Sequence, residues 1–183
     1  MHKLKQILTP AAALFLVCLC ASTALALTNA VTKGAIAKQD QKKLNETMTK
    51  LIEASSYAAD TVTVGGIEHT YYTAKDDSGE ALGFIFSAAA SGYNGDVSVM
   101  VGINPDGNVK AVEILDASGE TPGLGQRVTE KAFTDKFAAK SAPFDAQVDV
   151  ISGATYSSRA VIKAVNTACD LYAHITDGGQ GNE

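Results

Sequence analysis

A stretch near the N-terminus, ILTPAAALFLVCLCASTALALTNAV from Ile7 to Val31, contains no charged side chain. Nothing else in the chain restricts the fold so tightly. About 20 apolar residues suffice for a helix that crosses a bilayer, where backbone polar groups must be satisfied within the helix itself. Lys3 and Lys5 precede the stretch and no acid does, so a spanning helix keeps its N-terminus in the cytoplasm and delivers the rest of the chain to the outside. The residues also permit a cleaved signal peptide, because Ala24-Leu25-Ala26 has the small-x-small form of a cleavage site. The apolar run continues past that point to Val31, which favours a retained anchor. Valine and leucine precede Cys18 and Cys20, so neither cysteine has the small residue that lipid attachment requires. The organisation expected from this is a cytoplasmic segment 1–6, a transmembrane helix 7–31, a helical connector 32–60, a domain 61–176 and a loose tail 177–183.

The part beyond the apolar stretch has the length of one ordinary domain. With 46% hydrophobic and 19% charged residues the chain can build a packed core. Two of its 15 basic residues, Lys3 and Lys5, lie before the stretch, so the remainder sets 13 basic against 20 acidic side chains. An acidic domain lacks the clustered Lys and Arg that displace counterions from nucleic acid, and nucleic-acid binding is set aside. Of the three cysteines only Cys169 lies outside the apolar stretch, and His2, His69 and His174 are scattered. No zinc or iron–sulfur pattern is present, and no disulfide can form within the domain.

The pattern after the anchor reads as α+β. Leu44, Met48, Leu51 and Ile52 recur at helical spacing in a segment running from Ile36 to about Ala59, with a break near Ser55–Ser56. Residues 67–74 and 81–88 read as strands joined by the polar turn Lys75–Glu80, and 96–103 and 108–115 as two more joined by Asn104-Pro105-Asp106-Gly107. Together they predict a mainly antiparallel sheet. A short helix over 128–139, a further strand AQVDVI over 146–151 and a closing helix over 158–175 complete the reading. In that last helix Val161, Val165, Ala168, Leu171 or Tyr172, and Ile175 share a face.

Two loops carry the chemistry. DVISGATYSSRAV, from Asp149 to Val161, crowds Ser152, Thr155, Ser157 and Ser158 around Gly153 at the mouth of the closing helix. One hydroxyl suffices for an N-cap, and helix N-termini also favour anions, so a plain cap and an anion site both fit. No acid occurs between Asp149 and Asp170, yet Arg159 stands in the first turn and Lys163 one turn on. A phosphate beside Arg159 would offset the unfavourable dipole; so would a distant carboxylate. The second loop is Glu120-Thr121-Pro122-Gly123-Leu124-Gly125. Thr-Pro-Gly-Leu suits a type II turn, and the two glycines around Leu124 admit close approach of a flat ligand; a bare surface turn has the same sequence. GxGxxG, P-loop and GxSxG patterns are absent, so neither a dinucleotide fold nor a serine hydrolase is indicated.

Asp149-x-x-Ser152-Gly153-Ala154-Thr155, with GETPGLG (Gly119 to Gly125) upstream and GYNGDVSVMVGINPDG (92–107) before it, resembles the FMN-binding domain family. With the anchor and the short length, the chain is similar to the G subunits of Rnf electron-transport complexes; the related C subunit of sodium-pumping NADH:quinone reductase is usually longer. The resemblance covers nearly the whole chain. It implies an extracytoplasmic domain with one FMN, joined through its phosphate to the Thr155 hydroxyl by a flavin transferase. It implies that Ser152, Gly153 and Ala154 bring the backbone round the phosphate and that Ser157 and Ser158 add donors or cap the helix, where Arg159 could then answer the phosphate. Glu120, Thr121, Pro122, Gly123, Leu124 and Gly125 would border the ring, and Asp149 would serve the modifying enzyme or orient the loop rather than touch the flavin. The implied role is electron relay, with the other membrane subunits as partners, in a complex coupling ferredoxin:NAD oxidoreduction to sodium or proton transport. Two further readings remain: a stand-alone extracytoplasmic flavinylated shuttle, and an anchored domain without flavin in which SGAT only starts a helix.

Overall fold

A computed structural model describes residues 2–176, with side chains from Leu14 onward except at 30, 31, 35 and 37. The expected tail 177–183 lies outside the described residues. The chain divides into two units, residues 1–45 and 46–183.

The first unit belongs to one helix, α1 (His2–Leu51), whose last turns reach into the second unit. It passes through 7–31 without a break and contains an 18-residue window of mean hydropathy 2.0. The apolar side chains there point outward, among them Leu14, Phe15, Leu16, Val17, Leu25 and Leu27. Thr23, Thr28 and Thr32 turn their hydroxyls back onto the carbonyls of Leu19, Ala24 and Thr28 at 2.6–2.9 Å. That arrangement leaves no hydroxyl of the three needing water.

In the second unit, α1 ends at Leu51, and Ser56–Val64 is a strand, β1, where the sequence reading placed helix up to Ala59. The correction has a local cause. Thr61 to Val64 alternate, and Gly65 and Gly66 have φ of 60° and 79°, the pair of positive values that a two-residue type I′ hairpin requires. Val64 therefore pairs with Ile67 and opens β2 (Ile67–Lys75). β3 (Ala81–Ser91), β4 (Asp96–Ile103) and β5 (Val109–Asp116) follow as expected, all antiparallel, in the order β1-β2-β3-β4-β5. The β4–β5 turn closes with Gly107 N–H donating to the Asn104 carbonyl at 2.9 Å, Gly107 at φ 84°.

Segment 146–151 is not a strand. The Gln147 and Val148 N–H groups both donate to the Phe144 carbonyl, a turn rather than a ladder. The edge of β5 is met by another segment, through Val109 N–H to the Lys140 carbonyl and Ala139 N–H to the Val109 carbonyl, both 2.8 Å. The helix expected over 128–139 is three short pieces: a 3-10 turn (Gly125–Thr129), α2 (Lys131–Thr134) and a second 3-10 turn (Asp135–Phe137). Glu130, with ψ 136°, is extended and breaks the run, while Val128, Phe133 and Phe137 are buried.

α3 (Thr155–Thr176) lies across β3 and β4 and buries Val161, Val165, Ala168, Leu171 and Tyr172. It begins one turn earlier than the sequence indicated. Phe86, Val97, Val99, Val101 and Val109 face it from the sheet, fully buried. The Tyr172 hydroxyl donates to the Pro105 carbonyl at 2.7 Å and ties the end of α3 to the β4–β5 turn. Leu51 and Ile52, at the end of α1, fill spaces left by glycines: a Cβ at Gly102 would meet them at 3.1–3.2 Å, and one at Gly83 would meet Ile52 Cδ1 at 2.8 Å.

Candidate functional site

The start of α3 answers the crowding of hydroxyls. Ala154, with no side-chain oxygen, holds the position before the helix, and its carbonyl accepts the first helical bond, from Ser158 N–H at 2.9 Å. Ser158 Oγ faces backward and accepts from Ile151 N–H at 3.0 Å, so it shapes the loop that enters the helix. The Ser157 hydroxyl is buried and donates to Glu120 Oε2. The Thr155 hydroxyl, half-buried, has no hydrogen-bond partner among the described residues. Of the four clustered hydroxyls, those of Ser157 and Ser158 hold the loop, and those of the exposed Ser152 and the half-buried Thr155 have no hydrogen-bond partner among the described residues. Gly153 has φ 80°, and a Cβ there would stand 3.1 Å from Leu124 Cδ1.

The loop after β5 forms the facing wall. Ser118 N–H donates to Asp116 Oδ1 at 2.8 Å, and the bonds from Ser118 hold the Asp116 carboxyl below its usual range. Leu124 N–H donates to the Thr121 carbonyl at 3.2 Å, and Gly123 has φ 72°, the type II turn that Thr-Pro-Gly-Leu predicts. Glu120 is turned away from the surface and is 1% exposed. Its Oε1 accepts from Tyr93 N–H at 2.9 Å and Asn94 N–H at 3.3 Å, while Oε2 accepts from Ser157. One carboxylate thus joins the β3–β4 turn, the loop after β5 and the first turn of α3. Glycines make room for it: a Cβ at Gly92 would lie 2.3 Å from Glu120 Oε1, and one at Gly125 would lie 2.8 Å from Ser157 Oγ.

These walls enclose a cleft of about 390 Å³ lined by Tyr93, Thr121, Leu124, Gly125, Gly153, Ala154, Tyr156 and Ser157. Thr155 lies between two of the lining residues. Thr121, Leu124, Gly125, Gly153, Ala154 and Ser157 were all anticipated from the motifs. Pro122 and Gly123 form the turn behind Leu124, Ser152 is exposed beside Gly153, and Glu120 braces the walls from behind instead of lining them. Arg159 and Asp149 line a different hollow, of about 630 Å³, with Asp145, Lys163 and Asn166. Among the described residues Arg159 makes no ion pair. Tyr93 and Tyr156 also line the cleft, although neither was expected at the site; they lie within GYNGDVSVMVGINPDG and DVISGATYSSRAV.

The cleft fits a flat, uncharged ring. Its volume is in the range of small-molecule sites, which run from about 300 to 1,000 Å³. None of its lining side chains carries a charge, and glycines among the lining residues let the backbone come close. A free hydroxyl at a helix start stands beside it, where an attached phosphate would meet the positive end of α3. Among the described residues no group of His, Cys, Asp and Glu is arranged to hold a metal ion.

Fold and cleft together define an antiparallel domain with an uncharged cleft at the start of its closing helix. The FMN-binding domain family model matches residues 92–170, the segment that contains every residue of the cleft. The chain is 30% identical to the G subunit of the Na(+)-translocating ferredoxin:NAD(+) oxidoreductase complex of Acetobacterium woodii, over 89% of this chain and 90% of that one. It is 26% identical to the G subunit of the proton-translocating ferredoxin:NAD(+) oxidoreductase complex of Clostridium ljungdahlii, over 90% and 91%. The crystal structure of NqrC from Shewanella oneidensis shares the fold, with a TM-score of 0.50 over 69% of each chain at 22% identity. The chain belongs to the FMN-binding domain family, among the G subunits of ion-translocating oxidoreductase complexes.

Proposed function

We propose that the protein is a membrane-anchored electron-transfer subunit carrying one FMN, bound as a phosphoester to Thr155 Oγ1. The observation that carries the reading is the Thr155 hydroxyl, free of partners, at a helix start beside an uncharged cleft that a flat ring fits. When bound, FMN supplies the redox chemistry; the chain holds and orients it. Gly153 at φ 80° turns the backbone into the helix so that the first N–H groups of α3 face the phosphate. Arg159 follows Thr155 by one turn on the same face, and helical side chains lean toward the N-terminus. Its guanidinium is thereby able to reach back toward a phosphate on Thr155. Asp149 shares the hollow with Arg159 and lies clear of the ring cleft, which suits a contact with the flavin transferase.

The relatives named as G subunits support a place among the membrane subunits of a ferredoxin:NAD oxidoreductase complex that transports sodium ions or protons. Residues 7–31 of α1 serve as the membrane span. The outward apolar side chains and self-satisfied threonines suit lipid, and Lys3 and Lys5 put the N-terminus in the cytoplasm and the flavin domain outside. A covalent link suits that position, because a cofactor held by an ester is not lost by dissociation where no cytoplasmic FMN pool replenishes it.

Intact mass and in-gel flavin fluorescence on denatured protein, co-produced with a flavin transferase, test the attachment. One added FMN on the peptide containing Thr155 is expected, and Thr155→Val should lose it while keeping the cooperative unfolding of the domain. Flavin still bound to denatured Thr155→Val would remove Thr155 from the assignment. Orientation is read by adding protease to intact cells with the outer face exposed; digestion of the domain is expected, and full protection would reverse it.

A further inference from the structure

Tyr156 and Tyr93 are the most exposed large apolar side chains of the second unit, at 70% and 69%, with Ile67 next at 63%. A single exposed aromatic side chain needs no explanation. These two come from the β3–β4 turn and the first turn of α3, and their rings meet at 6.3 Å between centroids, tilted by 49°. Both line the same cleft. Neither phenol has a hydrogen-bond partner among the described residues. One group holds the pair: Glu120 Oε1 accepts from Tyr93 N–H, and Oε2 accepts from Ser157, the residue after Tyr156. A buried carboxylate therefore spends its acceptors on fixing two aromatic rings in water at the mouth of a cleft.

We propose that Tyr93 and Tyr156 are the stacking residues for the isoalloxazine ring, and that Glu120 is the positioning residue that sets their separation. The inference rests on attachment of FMN at Thr155. Aromatic faces pair offset or tilted with centroids about 4.5–7 Å apart, so either tyrosine offers a face once the ring enters the cleft. A tether at Thr155, the neighbour of Tyr156, keeps the ring at high effective concentration. Two exposed faces and Leu124 then hold it without a deep pocket, and one edge of the ring stays open to electron exchange.

Tyrosine in contact with a flavin quenches its fluorescence by giving an electron to the excited ring, and phenylalanine does not. Full-length protein co-produced with the transferase is measured before and after denaturation, normalised to the FMN found by mass. Tyr93→Phe and Tyr156→Phe should each raise native fluorescence, and the double variant several-fold, with denatured fluorescence and mass unchanged. Tyr72→Phe, on β2, should change nothing. Glu120→Ala should also raise native fluorescence, and Glu120→Gln, which still accepts from Tyr93 N–H, should restore most of the quenching. A double Phe variant that carries FMN and is as dark as the parent, or an equal rise in Tyr72→Phe, overturns the stacking assignment alone. Parent protein with no added FMN mass overturns the attachment and this inference together.

Discussion

Glu120 is the residue on which the cleft depends most. Replacing it with Ala leaves two backbone N–H groups and the Ser157 hydroxyl without their acceptor. Only Ser157 is buried, while Tyr93 and Asn94 are exposed and water can replace the acceptor at their N–H groups, so Glu120→Ala should destabilise the second unit by about 1–3 kcal/mol, the cost of one orphaned buried donor, read as a fall in the urea midpoint. Gly92→Ala should act in the same direction, since its Cβ would fall 2.3 Å from the carboxylate. Cys169 gives a pH dependence. Burial pushes its thiol up to about 11 from 9.0, with Asp170 adding to the shift. The fold thus favours the protonated form. That contribution is whole below the unfolded value and is lost as pH rises through the folded one. Cys169→Ala removes the ionisation, so stability between pH 9.0 and about 11 should fall less steeply than in the parent. An unchanged slope by urea titration across that window would count against it.

Among the elements, the β1–β2 hairpin and α3 matter most. Gly65 and Gly66 both occupy the left-handed region, where a side chain costs roughly 1–2 kcal/mol per residue. Gly65→Ala with Gly66→Ala should destabilise the hairpin by about 2–4 kcal/mol, with faster amide exchange in β1 and β2 than in β4. The glycine pair between Val64 and Ile67 was a readable hairpin signal; Ala58 and Ala59, good helix formers, masked it by prolonging the periodicity of α1. AQVDVI misled in the opposite sense. Its apolar residues alternate, but β5 meets Ala139 and Lys140 instead, and only Val148 of the segment is fully buried. α3 was legible from its apolar face. Its true start at Thr155 was hidden, because the capping rule expects Ser or Thr just before a helix and the chain places Ala154 there.

For the whole molecule, the two units respond to different environments. Phe86 is fully buried against Tyr71, at 5.3 Å between ring centroids, and beneath Tyr172. Phe86→Ala should cost about 3–5 kcal/mol and lower the thermal midpoint of the second unit. Leu16→Ala, at a side chain 60% exposed in α1, should leave that midpoint unchanged. By itself the sequence determined the apolar helix, four of the five strands, both turns that depend on Pro and Gly, and the two motifs that mark the family. Each of these is a local property, set by side-chain period or by a backbone angle only glycine takes readily. Tertiary structure alone decided which face each motif residue turns inward. It drew Glu120 behind the cleft, sent Arg159 and Asp149 to a separate hollow, and brought Tyr93 beside Tyr156. Those outcomes depend on where a sheet and a helix cross, and contacts between residues far apart in the chain carry no period for a sequence to display.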